Sequence, residues 1–138
     1  MIINLNWLGT DLHFEAGNET NGNIRIDGTN RIGGLEGGLS PMQLLLAGAA
    51  GCSAIDVLSI LGKQKQVVES LYVEVDGDKQ KTDGGYSEFK TIHMQYTLSG
   101  DLDPAKVKRA LDLSVTKYCS VSKALEKVSE ITYGFEIE

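Results

Sequence analysis

The stretch "SPMQLLLAGAAGCSAIDVLSIL", Ser40 to Leu61, decides the fold. It is a long apolar run holding one cysteine, Cys52, and one aspartate, Asp56. Three readings compete: a membrane span, a buried helix, or the bed of a reactive thiol. Ser40 suits an N-cap, Pro41 the first helical position, and Gly62 a stop signal. The apolar residues between them, Leu44, Leu45, Leu46, Ala47, Ala49, Ala50, Ala54, Ile55, Val57, Leu58 and Ile60, cover nearly the whole circumference. That pattern fits either a span or the central helix of a core. Gln43, Ser53, Asp56 and Ser59 interrupt it, and an aspartate at mid-bilayer costs about 2.5–3.5 kcal/mol. The sequence therefore predicts a buried central helix over 40–62 and no membrane association.

Working outward, the flanks alternate with period two. Ile3, Leu5 and Trp7, then Leu12 and Phe14, then Ile24 and Ile26 face polar neighbours, so residues 1–30 predict an antiparallel three-stranded meander. The glycine-rich segment "RIGGLEGGLS" at 31–40 reads as a connector. It has neither the Gly-Lys-Ser/Thr ending of a phosphate loop nor dinucleotide-binding spacing. Downstream, 67–99 predicts a strand pair, with Ile92, Met94, Tyr96 and Leu98 on one face of the second strand. Asp103 and Pro104 open a helical region over 103–128, and Ile131, Tyr133, Phe135 and Ile137 alternate in a final strand at 130–138. The sequence predicts one domain over 1–138.

Composition narrows the function classes. The chain has 138 residues, 41% of them hydrophobic and 23% charged, with a net charge of −6. An acidic surface does not release counterions from nucleic acid, so a nucleic-acid partner is not expected. The opening "MIINLNWLGTDLHFE" has no charged n-region or cleavage site, and a cytoplasmic location is expected. Two cysteines in such a setting read as reduced or redox-active rather than as a structural bridge.

Cys52 lies among Gly48, Ala49 and Gly51, which leave room for close packing or for a small molecule. A free cysteine there also serves as a small hydrophobe. Cys119, in "KYCSVSKALEK", falls at the start of a helix, where backbone N–H groups favour a thiolate. Together the two make a workable attacking and resolving pair. Asp56 follows Cys52 by one helical turn, and a nearby carboxylate raises a thiol's pKa unless a cation offsets it. His13 and His93 lack a second metal ligand at helical or strand spacing, so no metal and no cofactor are expected. "GCSA" is not a nucleophile-elbow motif.

"SPMQLLLAGAAGCSAIDVLSIL" followed by "YCSVSKALEK" resembles the OsmC/Ohr family of osmotically induced and organic-hydroperoxide-resistance proteins, most closely its YhfA-like branch. The resemblance runs over nearly the whole chain. It implies an α+β OsmC-like fold, with curved antiparallel sheets around a long buried central helix, in an intertwined homodimer with sites at the subunit interface. It further implies that Cys52 attacks an organic hydroperoxide, that Cys119 condenses with it to a disulfide, and that a dithiol reduces that disulfide. Active members of the family place a glutamate directly after the helix-opening proline, where this chain has Met42 and then Gln43. They also supply an arginine from the first strands, whereas here the first arginines are Arg25 and Arg31. The expected site is thus Cys52 and Cys119, with Asp56, Arg25 and Arg31 as supporting candidates and Met42 and Gln43 lining the pocket. The alternative is a non-catalytic dimeric module that binds a small hydrophobic or acyl ligand.

Overall fold

Alternating apolar residues make two three-stranded sheets, and the long apolar run makes the helix between them in sequence. The structure, a computed structural model, describes residues 1–28 and 37–138. Arg31 and most of the glycine-rich connector lie outside the described residues. The chain divides into two units, Met1–Leu45 and Leu46–Glu138.

The first unit carries β1 (Asn4–Trp7), β2 (His13–Asn18) and β3 (Gly22–Asp27), paired in that order and antiparallel throughout, as the alternation predicted. Asp27 is fully buried and accepts the Gly37 backbone N–H at 2.9 Å. His13 Nε2 lies 3.2 Å from the same carboxylate.

Helix α1 runs from Pro41 to Lys63. Its start is a capping box. Gln43 donates its backbone N–H to Ser40 Oγ at 3.2 Å, and the Ser40 N–H donates to Gln43 Oε1 at 2.9 Å. Its end is not at Gly62. Lys65 takes the left-handed conformation at φ 58, and the bonds Lys65 N–H to Gly62 O and Gln66 N–H to Leu61 O close a Schellman turn around it. By length and composition α1 is apolar enough to cross a membrane. Its burial within one chain is narrower than the composition implied. Ala49, Ser53, Val57 and Leu61, one residue per turn, form the fully buried stripe, while Ile55 and Leu58 remain 70% and 44% exposed.

In the second unit, β4 (Ser70–Lys81) and β5 (Ser87–Ser99) form a long antiparallel hairpin. The strands continue through the polar residues Asp78–Lys81 and Ser87–Glu88, and only 82–86 turn, with Gly85 at φ 86. Gly77 sits beside the register shift at Asp78 and Lys79, and a Cβ there would come within 2.7 Å of the Phe89 ring. The face of β5 is buried at Phe89, Ile92, Met94, Tyr96 and Leu98. Strand β6 (Glu130–Ile137) pairs with β5 in parallel, the exception to the antiparallel sheets expected. The cause is the connection: a chain that crosses over through helices returns in the direction it left. That crossover holds α2 (Pro104–Leu113), a π-helical turn (Ser114–Tyr118) and α3 (Ser120–Leu125). Asp103 caps α2 by accepting the Ala105 N–H at 2.9 Å, with Pro104 in the first turn. Val107, Ala110 and Leu111 bury its inner face.

Candidate functional site

Three elements of the second unit converge on the thiols. Helix α1 supplies Cys52, half-buried, and Asp56 one turn on. The π-turn supplies Ser114, and the junction of that turn with α3 supplies Cys119, fully buried. The Cys52 and Cys119 sulfurs and an Asp56 carboxylate oxygen all lie within 4.8 Å of one another. Both cysteines are free thiols. The geometry therefore brings Cys119 up to Cys52 and Asp56, which the sequence had placed one turn apart on a single helix.

Serines hold these elements in register. The Ser114 hydroxyl shares its one proton between the Ser53 backbone carbonyl at 3.1 Å and Asp56 Oδ2 at 3.4 Å. Ser53 Oγ donates to the Ala50 carbonyl at 3.1 Å and shares a 2.6 Å hydrogen bond with Tyr96 on β5. Burial pushes the Tyr96 phenol up from 10.0 to about 12, the Ser53 hydrogen bond works against this, and the nearby Cys119 adds to it. Tyr96 thus stays a neutral donor across ordinary pH. Its ring meets Tyr133 edge-on, and Tyr133 donates its hydroxyl to Asp112 on α2.

Cys119 is the N-cap of α3, and its sulfur accepts the Ser122 N–H at 3.3 Å. The expected thiolate does not follow. Burial raises the Cys119 thiol above its ordinary value and outweighs the lowering by Ser122, while the neighbouring Cys52 raises it further. The Ser122 hydroxyl is fully buried and satisfies no hydrogen bond among the described residues.

The other described candidates from the sequence are placed as follows. Arg25, on β3, forms an ion pair with Glu15 of β2 at 3.3 Å. Gln43 uses its carboxamide in the helix cap, and Met42 is half-buried in the same first turn. The two histidines have separate partners, His13 with Asp27 and His93 with Thr132 at 2.8 Å. Sequence reasoning missed Ser53, Ser114 and Tyr96 as site residues. The available signal was a serine, Ser114, on the otherwise apolar face of α2 and its continuation.

The fold and this cysteine pair define the class. The family model of OsmC-like proteins matches residues 33–134, and the chain belongs to that family. Among curated relatives, Protein YhfA of Escherichia coli (strain K12) is 42% identical over 99 residues, which span 71% of this chain and 72% of YhfA. The OsmC-like protein of Mycoplasma pneumoniae superimposes with a TM-score of 0.82 at 17% identity, over 99% of this chain and 95% of that one. The organic hydroperoxide resistance protein OhrB of Bacillus subtilis does so with a TM-score of 0.69 at 18% identity, over 98% and 96%. Those two likenesses establish the fold.

Proposed function

We propose that this chain is a cysteine-based peroxidase that reduces organic hydroperoxides. The observation that supports it is the approach of a reachable thiol, Cys52, to an enclosed one, Cys119, within 4.8 Å. The difference in exposure supports Cys52 as the attacking thiol and Cys119 as the resolving one. The Cys52 thiolate attacks the terminal peroxide oxygen, an S–O bond forms as the O–O bond breaks, and the departing alkoxide takes a proton to become the alcohol. Cys52 is left as a sulfenic acid. The Cys119 sulfur then attacks the Cys52 sulfur, and the displaced hydroxide leaves as water with the Cys119 proton. A dithiol returns two electrons and two protons to the disulfide. Because Cys119 sits beside the sulfenic acid, condensation competes with further oxidation.

The Bacillus subtilis neighbour carries organic hydroperoxide resistance in its name, and this reading transfers that chemistry to the present chain. Ile55 and Leu58, exposed on α1, supply an apolar face for a second copy, in keeping with a homodimer. A cytoplasmic location belongs to the same reading, because both working thiols need a reducing compartment.

The test is a thiol count on reduced protein before and after cumene hydroperoxide. Wild type is expected to lose both thiols rapidly, and Cys52→Ser to keep its remaining one. Thiols unchanged at millimolar peroxide would overturn the reading in favour of a non-catalytic module that binds a hydrophobic ligand.

A further inference from the structure

Asp56 is the residue that the peroxidase chemistry leaves unexplained. A carboxylate within 4.8 Å of two sulfurs opposes the negative charge that either thiolate would carry. Two sulfurs and one carboxylate oxygen at such spacing are also a ligand set. We propose that the reduced protein binds one zinc-class divalent ion through Cys52, Asp56 and Cys119, and that the Cys52–Cys119 disulfide abolishes this binding.

The dimensions suit it. Tetrahedral zinc holds sulfur at about 2.3 Å and carboxylate oxygen at about 2.1 Å, which puts the ligand atoms roughly 3.6–3.8 Å apart. The three atoms already fall within 4.8 Å, so side-chain adjustment of about 1 Å completes the shell. Three protein ligands leave the fourth position to water or to an exchanging thiol. Half-buried Cys52 gives the ion its way in.

Charge balance favours the ion as well. Two thiolates, one carboxylate and a divalent cation carry a net charge of −1, against −3 without the cation, so the ion offsets most of the charge its three ligands bring together. The outer contacts are in place: Ser114 Oγ donates to Asp56 Oδ2, and the Ser122 N–H donates to the Cys119 sulfur. Zinc and cadmium prefer such sulfur-rich sets, whereas magnesium and calcium prefer oxygen alone. Oxidation of the pair to a disulfide by any two-electron thiol oxidant consumes two ligands at once. The site therefore holds metal only while the thiols are reduced.

This inference does not depend on the peroxidase reading, because its test reads metal alone. Tag-free, fully reduced protein is titrated with cadmium under anaerobic conditions and the sulfur-to-metal charge-transfer absorption is followed. Zinc affinity is then measured by competition with a chromophoric chelator. One equivalent per chain is expected. Cys52→Ser and Asp56→Asn are each expected to weaken zinc at least tenfold, and Ser114→Ala by about 10–100-fold, the usual effect of removing an outer-shell partner. Wild type oxidised to the disulfide, with its fold checked by circular dichroism, is expected to bind none. Equal binding by oxidised and reduced wild type overturns the proposal, as does unchanged affinity in Asp56→Asn with intact circular dichroism. Binding only at millimolar metal also overturns it.

Discussion

Ser114 donates its hydroxyl to the backbone carbonyl of Ser53 at 3.1 Å, and this bond ties the segment before Cys119 to the helix that carries Cys52. Both serines are fully buried. Register between the two thiols therefore rests on a polar contact inside an apolar core, where geometry is fixed and a lost partner is costly. Ser114→Ala is expected to destabilise the fold by about 1–2 kcal/mol in urea unfolding. It is also expected to slow the second stage of thiol loss after peroxide, when the disulfide forms, more than the first.

The two cysteines should fail differently. Cys119 is enclosed and Cys52 is reachable, so Cys119→Ser leaves an attacking thiol with no partner. That variant is expected to accumulate two or three added oxygens on Cys52 under excess cumene hydroperoxide, read by intact mass. Cys52→Ser is expected to show no added oxygen under the same conditions. Equal oxidation of both variants would contradict the assigned roles.

Tyr96 predicts an alkaline limit to stability. Its folded pKa lies above its ordinary one, so the folded state binds the proton more tightly than the unfolded state. The associated stability is complete below pH 10.0 and is lost as pH rises towards about 12. Cys119, raised from 9.0, starts the loss earlier. Unfolding midpoints measured from pH 8 to pH 12 are expected to fall, and Tyr96→Phe is expected to flatten the upper part of that fall. An identical slope in the variant would refute the assignment.

The exposed and buried sides of α1 should separate by experiment. Leu61 is fully buried, and Leu61→Ala is expected to cost about 2–5 kcal/mol in denaturant unfolding. Ile55 is 70% exposed in the single chain, so Ile55→Glu is expected to leave the fold intact and to shift the protein from dimer to monomer in light scattering. A monomeric wild type would remove the proposed role of this face.

Much of this arrangement was legible in local sequence. Ser40 and Pro41 announce the start of α1, Asp103 and Pro104 that of α2, and the alternation from Ile92 to Leu98 names the buried face of β5. These signals are readable because caps and strand faces depend on neighbours a few residues away. The parallel pairing of β6 was not legible, because alternation gives a strand its faces and not its direction. The turn that closes α1 was not legible, because a lysine, Lys65, adopts the conformation usually left to glycine. The approach of Cys119 to Cys52 and Asp56 is a matter of tertiary packing, and the resemblance carried it where spacing could not. The dominance of burial over the helix terminus at Cys119 needed coordinates, since sequence does not show how much water a sulfur loses.

The π-turn at Ser114–Tyr118 makes backbone winding a control on the site. There the Cys119 N–H reaches back five residues to the Ser114 carbonyl at 2.8 Å, one residue further than an α-helix would. Winding the same residues as an ordinary α-helix would swing everything beyond the turn by about 100°. The second sulfur would then face away from the first with the composition of the neighbourhood unchanged. The meeting of the two sulfurs therefore rests on one wide turn of backbone as well as on the residues that carry them.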